Sequence, residues 1–156
     1  MYYSYYESPV GSLLLHGEDL LEGLVFPKSK IRKNIEAQWI LTPSRFDPVK
    51  KQLDDYFHGR LKTFDLGLFL KGTDFQKTVW QALAQIPYGQ TISYGELAEQ
   101  INNPKACRAV GLANGKNPIP IIIPCHRVIG KNGKLTGFGG GISVKQHLLE
   151  LESTHV

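Results

Sequence analysis

A chain of 156 residues with 42% hydrophobic and 21% charged side chains can build one ordinary domain or two small ones, and its composition argues against disorder. No apolar run approaches the roughly 20 residues that span a bilayer, and two cysteines, Cys107 and Cys125, are too few for a disulfide framework and lack Cys-x-x-Cys zinc spacing. The net charge of +4 is unevenly placed: residues 1–70 carry nine basic and nine acidic side chains, whereas Lys105 to Lys134 holds six basic residues (Lys105, Arg108, Lys116, Arg127, Lys131, Lys134) and no acid.

The aromatic-rich Met1 to Glu7 lacks the basic start and apolar core of a secretory signal. It reads as extended chain of a cytoplasmic protein, or of a nuclear one in a eukaryote. Leu13-Leu14-Leu15 follows Ser8-Pro9-Val10-Gly11, and Leu20 to Phe26 follows Gly17-Glu18-Asp19, so turn chemistry separates short strand-like runs. Val49, Leu53 and Phe57 at i, i+4 and i+8 predict a helix over 48–57 closed by Gly59, and 64–70 reads as a further extended run. His16 and His58 stand isolated among turns, as structural or exposed residues. This half, residues 1–71, is expected to be an α+β scaffold.

After Gly72-Thr73 the pattern turns helical, and a second domain is expected over 72–156. Phe75, Val79, Leu83 and Ile86 share a helical face that Pro87-Tyr88-Gly89 ends. Ser93 with Glu96 three residues on is a capping-box pattern before Leu97, Ala98 and Ile101. Asn102-Asn103-Pro104 breaks the chain, with Pro104 at the first position of a helix over 105–115. Two short helices about a tight turn make a helix-turn-helix candidate. The second carries Arg108 among the small residues Ala106, Cys107, Ala109, Gly111 and Ala113. Such a face suits either close packing on another helix or a flush fit against a nucleic-acid groove with Arg108 inserted. The basic stretch likewise suits a polyanion or a solvated surface. Ile119 to Pro124 reads as a short buried extended segment.

A cysteine does nucleophilic work as a thiolate. His126 and Arg127 follow Cys125 in a segment without acid, and both would favour that form. Neighbours on an extended segment point to opposite faces, so His126 would act through a bridging water. A carboxylate is needed to orient its other nitrogen, and a late helix over 144–152 offers Glu150 and Glu152. The residues alone leave a second reading open, since a thiol flanked by Ile121, Ile122, Ile123 and Val128 also fits a buried core cysteine.

The run Arg108-Ala109-Val110-Gly111, Asn117-Pro118 and Ile123-Pro124-Cys125-His126-Arg127-Val128 resembles the O6-alkylguanine-DNA alkyltransferase family. The resemblance extends upstream through Phe75, Trp80, Gly89, Ser93-Tyr94, Leu97-Ala98 and Asn103-Pro104, and downstream through Gly139-Gly140-Gly141, Lys145, Leu148-Leu149 and Glu152. It implies a small ribonuclease H-like α/β domain followed by a mainly helical, winged-helix-like domain. It also implies a protein that flips a damaged guanine out of duplex DNA and takes the alkyl group irreversibly from O6, with O4 of thymine a possible second target.

By carry-over from the resemblance, Cys125 is the acceptor, His126 takes the thiol proton through water, Glu152 orients His126, and Asn117 orders the network. Tyr94 donates to the guanine ring, and Arg108 fills the vacated stack with the second helix in the minor groove. Ser93, Lys105, Ala106, Cys107, Gly111 and Arg127 join Arg108 on the DNA side, and Phe138 and Gly139 form the base pocket. Gly139 departs from members with serine there and offers no hydroxyl to the base oxygen. Some members hold a zinc in the first domain, but no cysteine precedes Cys107 here, so neither metal nor cofactor is expected. A monomer acting on DNA, with no membrane partner, is the expectation. A non-catalytic lesion-binding module would not need Cys125, and a winged-helix regulator would not explain Pro124-Cys125-His126-Arg127.

Overall fold

The computed structural model describes residues 1–29 and 31–156, which divide into two compact units, Met1–Leu70 and Lys71–Val156. In the first unit, β1 (Tyr2–Ser8), β2 (Gly11–Gly17) and β3 (Leu21–Val25) form an antiparallel meander, and β4 (Ile40–Leu41) pairs parallel to β1, giving the order β3-β2-β1-β4. The hairpin closes where Gly11 takes φ 110°, a left-handed value open to glycine, and Ser8 Oγ donates to the Gly11 carbonyl at 2.7 Å. Leu13, Leu14 and Leu15 are all fully buried, so β2 is covered on both faces. This is why its sequence is a continuous apolar run and not an alternating one.

Helix α1 (Arg32–Gln38) lacks an apolar stripe that the sequence could reveal, for its one buried residue is Ile35. That residue joins a core cluster with Tyr3, Leu14 and Val25. Helix α2 (Asp47–Phe57) buries the anticipated Val49, Leu53 and Phe57, with Tyr56. The run 64–70 forms no strand. It meets β3 at a single bridge between Leu21 and Leu68, with Phe69 N–H donating to the Leu21 carbonyl at 2.9 Å. His16 packs its ring on Trp39 at 4.8 Å, and burial pushes its pKa down to about 4. His58 is exposed, with Nδ1 2.7 Å from the Asp54 carbonyl.

In the second unit, α3 (Asp74–Leu83) and α4 (Tyr94–Gln100) both begin in complete capping boxes, Thr73 with Gln76 and Ser93 with Glu96. Each satisfies two backbone groups that a helix start otherwise leaves bare. Helix α5 (Cys107–Gly115) packs on α3 and α4, and buried Trp80 donates its indole N–H to the Ala113 carbonyl at 2.9 Å. The small residue at 113 lets the two helices approach closely. Helix α5 starts two residues later than expected, because the chain turns once more before it, with Ala106 N–H bonded to the Asn103 carbonyl at 2.9 Å. A short strand β5 (Ile92–Ser93) pairs parallel to β6 (Val128–Ile129), and α6 (Ile142–Thr154) closes the chain.

Residues 119–124 are not the extended segment expected. Ile121 sits at φ 74° while fully buried, and Ile123 N–H returns to the Ile119 carbonyl at 2.9 Å, so the chain folds into a tight turn. A β-branched residue in that left-handed region is strained. Four buried apolar side chains and an asparagine clamp hold it there. Among the described residues, no helix is long and apolar enough to cross a membrane.

The α3–α5 contact generates a stability prediction. Trp80→Phe keeps most of the apolar volume but removes the indole donor, leaving the Ala113 carbonyl with Lys116 N–H at 3.1 Å as its partner, and urea unfolding should show a loss of about 1 kcal/mol. A change of a few tenths would mean that this hydrogen bond contributes nothing net.

Candidate active site

The site starts from Asn117, just beyond α5. Its side-chain amide donates to the Ile123 carbonyl at 2.8 Å, and its amide oxygen accepts from Ile119 N–H at 3.0 Å. Both ends of the strained turn are thereby fixed to one side chain. The turn delivers Cys125 into a short 3-10 helix, Cys125–Arg127, which runs directly into β6. Cys125, His126 and Arg127 are all buried. The expectation of opposed neighbours on an extended segment is therefore corrected. In 3-10 geometry successive side chains are spread around the turn, so all three point into protein.

Burial also corrects the expectation of a resting thiolate. Cys125 is 5% exposed, and loss of water pushes its thiol up to about 11, while a hydrogen bond with Asn117 and the charge of Lys145 pull only partly the other way. At neutral pH the group is a thiol, so its attack requires a proton acceptor.

His126 offers a nitrogen able to accept a proton. Its Nε2 lies 2.6 Å from Glu152 Oε2, and burial lowers its pKa even against the pull of Glu152. A neutral ring that donates from Nε2 to a carboxylate leaves Nδ1 as a bare lone pair. Nδ1 is buried and makes no hydrogen bond to any described residue. Glu152 is 1% exposed. Burial raises its pKa, but hydrogen bonds from His126 and Arg127, with their charges, outweigh this and hold it down at about 2.

Arg127 is the clearest correction. Expected on the DNA side, it is buried, with Nε 2.8 Å from Glu152 Oε1, Nη2 3.1 Å from Oε2, and Nη1 donating to the Ile86 carbonyl at 2.6 Å. A guanidinium fork matches a carboxylate in this way, and a carboxylate buried beside a neutral imidazole needs a countercharge. Its partner cannot be Glu150, which is exposed and accepts from Gln146 at 3.0 Å.

Lys145, part of the resemblance but without an expected role, is fully buried. Its ammonium donates to the Val128 carbonyl at 2.6 Å and the Thr136 carbonyl at 2.9 Å. Burial lowers its pKa, and the charge of Cys125 opposes this. A readable signal existed: Lys145, Leu148 and Glu152 lie at i, i+3 and i+7 on one face of α6, and all three are buried. The same periodicity separates Glu152 from Glu150.

Tyr94 opens α4, half-buried. Its ring lies over Gly111 of α5, where an added Cβ would sit 3.8 Å from the ring. Its hydroxyl is 3.4 Å from Thr136 Oγ1. Thr136, which the sequence reading missed, thus meets Tyr94 with its side chain and Lys145 with its carbonyl. Ser93 spends its hydroxyl on the α4 cap. Lys105, Cys107 and Arg108 are exposed, Ala106 and Gly111 half-buried. In the 130–141 connection Phe138 is half-buried and Gly139 exposed. Among the described residues, no group of three His, Cys, Asp or Glu side chains is placed to hold a metal ion.

Two tests follow from this geometry. In a Cys107→Ser background, iodoacetamide should modify Cys125 at a rate that climbs steadily from pH 7 past pH 9, and Lys145→Met should move that profile to higher pH. A plateau by pH 8 would contradict the buried-thiol assignment. Arg127→Met removes the countercharge of Glu152 and should cost about 3–5 kcal/mol of unfolding free energy at pH 7. The Glu152 contribution is fully present above pH 4.5 and is lost as pH falls towards about 2. Without Arg127 the carboxyl protonates more readily, so acid unfolding should set in at higher pH. An unchanged acid midpoint would exclude the pairing as a determinant.

Comparison with known proteins identifies the architecture. The family model for the 6-O-methylguanine DNA methyltransferase ribonuclease-like domain matches residues 1–70, and that for the DNA binding domain of the same family matches residues 74–154. The methylated-DNA–protein-cysteine methyltransferase of Methanosarcina acetivorans is 52% identical over 155 residues, covering 99% of both chains. The solved structure of Mycobacterium tuberculosis O6-methylguanine methyltransferase aligns with a TM-score of 0.93 at 51% identity, over 99% of this chain and 94% of that one. That of Mycobacterium tuberculosis OGT in complex with DNA aligns with the same score and identity, over 100% of this chain and 95% of that one. The chain belongs to the 6-O-methylguanine DNA methyltransferase family.

Proposed function

We propose that this protein repairs DNA by transferring the alkyl group of O6-alkylguanine in a duplex to Cys125, once per molecule. The observation that carries this reading is the cluster of buried Cys125, His126 and Glu152 with half-buried Asn117, in which a thiol, a bare imidazole nitrogen and an ionised carboxylate are held together. The methylated-DNA–protein-cysteine methyltransferases at about half identity over the full chain support it, as does the DNA complex formed by the mycobacterial relative.

In the reaction, His126 takes the thiol proton through a water at Nδ1, and Glu152 stabilises the imidazolium that forms. The sulfur lone pair forms a bond to the alkyl carbon as the carbon–O6 bond breaks, and its electron pair passes to the guanine. A hydrogen bond from the Tyr94 hydroxyl to the ring stabilises the leaving base. Lys145 supplies positive charge beside the sulfur. The thioether is stable, so no second cycle follows. Thymine alkylated at O4 presents the same alkyl–oxygen bond and is a second substrate on this chemistry.

The base must leave the stack to reach a sulfur so enclosed. Arg108, exposed on α5, fills the gap while the helix lies in the minor groove, with Lys105, Ala106, Cys107 and Gly111 lining the approach. Phe138 packs on the extruded base beside Gly139. Residues 72–156 thus bind DNA and carry out transfer, residues 1–71 act as scaffold, and the protein works as a monomer without cofactor in the cytoplasm, or the nucleus of a eukaryote. A lesion-binding module without chemistry is the alternative.

Intact-mass spectrometry after incubation with a duplex containing O6-methylguanine should record one added methyl group, about 14 Da for thiol methylation, located on Cys125. DNA binding without a mass change would favour the binding module. Arg108→Ala should slow transfer from the duplex at least tenfold while Cys125 keeps its rate with iodoacetamide. Equal duplex rates would remove Arg108 from base extrusion.

A further inference from the structure

Helix α5 carries a residue that the reaction leaves unexplained. Leu112 is 67% exposed, whereas the other apolar side chains of that helix are small or buried. It lies four residues after Arg108 and four before Lys116, which places the three along one face of the helix. Arg108 and Lys116 are both exposed, as are Ala109 and Gly115 beside them. The face is therefore one bulky apolar side chain between two cations, on a surface otherwise low enough for backbone to approach a partner closely.

We infer that Leu112 is a second DNA-contacting side chain, which packs on the apolar deoxyribose edges of the minor-groove wall next to the step opened by Arg108. The inference rests on the repair reading above. The charge around Leu112 selects the occupant: the stretch from Lys105 to Lys134 has no acid and, with Arg127 buried, five exposed cations, which matches phosphates on either side of a groove. A protein partner would want a wider apolar surface, since specific interfaces bury on the order of 800 Å² per partner, and Leu112 is the only large exposed apolar side chain on α5. Minor-groove proteins use leucine for such contacts, where its bulk displaces water and steadies a distorted step. Exposed in the free protein, Leu112 gains burial only on the complex, so it favours the bound duplex without stabilising the fold.

The test compares two substrates that reach the same sulfur: O6-methylguanine in a duplex, and free O6-benzylguanine base, which needs no groove. The ratio of the duplex rate to the free-base rate should fall about tenfold in Leu112→Asn and Leu112→Ala, the order of one buried apolar side chain, and Leu112→Met should restore it. A ratio within twofold of the parent in both variants overturns the inference, including where both rates drop together. If sedimentation then shows a dimer that Leu112→Asn dissociates, a second copy of the chain occupies this face instead. Absence of transfer by the parent chain from either substrate overturns the repair reading, and with it this inference.

Discussion

Glu152 sits 1% exposed with the His126 ring 2.6 Å from one oxygen and the Arg127 guanidinium spanning both, and the reactive half of the protein is arranged around that carboxylate. An isolated carboxylate at this depth would take up a proton instead of paying for its charge. Arg127 keeps it ionised, and the ionised form fixes the His126 tautomer. With Nε2 committed to Glu152, Nδ1 becomes the ring's only proton acceptor. Cys125, the neighbour of His126 in sequence, is held as a thiol by its own burial. Each buried polar group thus depends on the next.

The turn before Cys125 holds this chain of dependence in register. Ile121 is strained at φ 74°, and nothing local favours that conformation. It persists because its own side chain, with Ile119 and Ile123, is buried, and because Asn117 bonds both ends of the turn. Strain held by surrounding structure is a recurrent property of reactive sites. Lys145 performs a similar service on the opposite side, tying β6 and the 130–141 connection through the Val128 and Thr136 carbonyls. Through Thr136, Tyr94 and Lys145 share one residue. A shift of that connection would therefore be felt at both residues.

Parts of this were legible in the residues. Capping boxes announce themselves because Ser93 and Glu96 satisfy each other's backbone within four residues, and the α2 and α3 stripes follow from helical period alone. The α1 helix was not legible, because a single buried Ile35 makes no pattern. The run over 64–70 misleads because alternation signals an extended chain but not whether a neighbour is available to pair with it. Within the site, Pro124-Cys125-His126-Arg127 marks the place but not its depth. Charge next to a cysteine suggests a thiolate, and only burial reverses the sign.

The sequence by itself determined the family, through Pro124-Cys125-His126-Arg127 and its flanking motifs, and the division into a charge-neutral first half and a basic second half. These are properties of residue type and spacing, which survive without coordinates. Tertiary structure alone decided that Arg127 faces Glu152 and not solvent, that Lys145 is buried against the Val128 and Thr136 carbonyls, and that residues 119–124 turn. Each of these depends on which water is excluded and which distant carbonyl or carboxylate is within reach. Such distances are set by packing between α6, β6 and the 3-10 turn, elements whose partners are far apart along the chain.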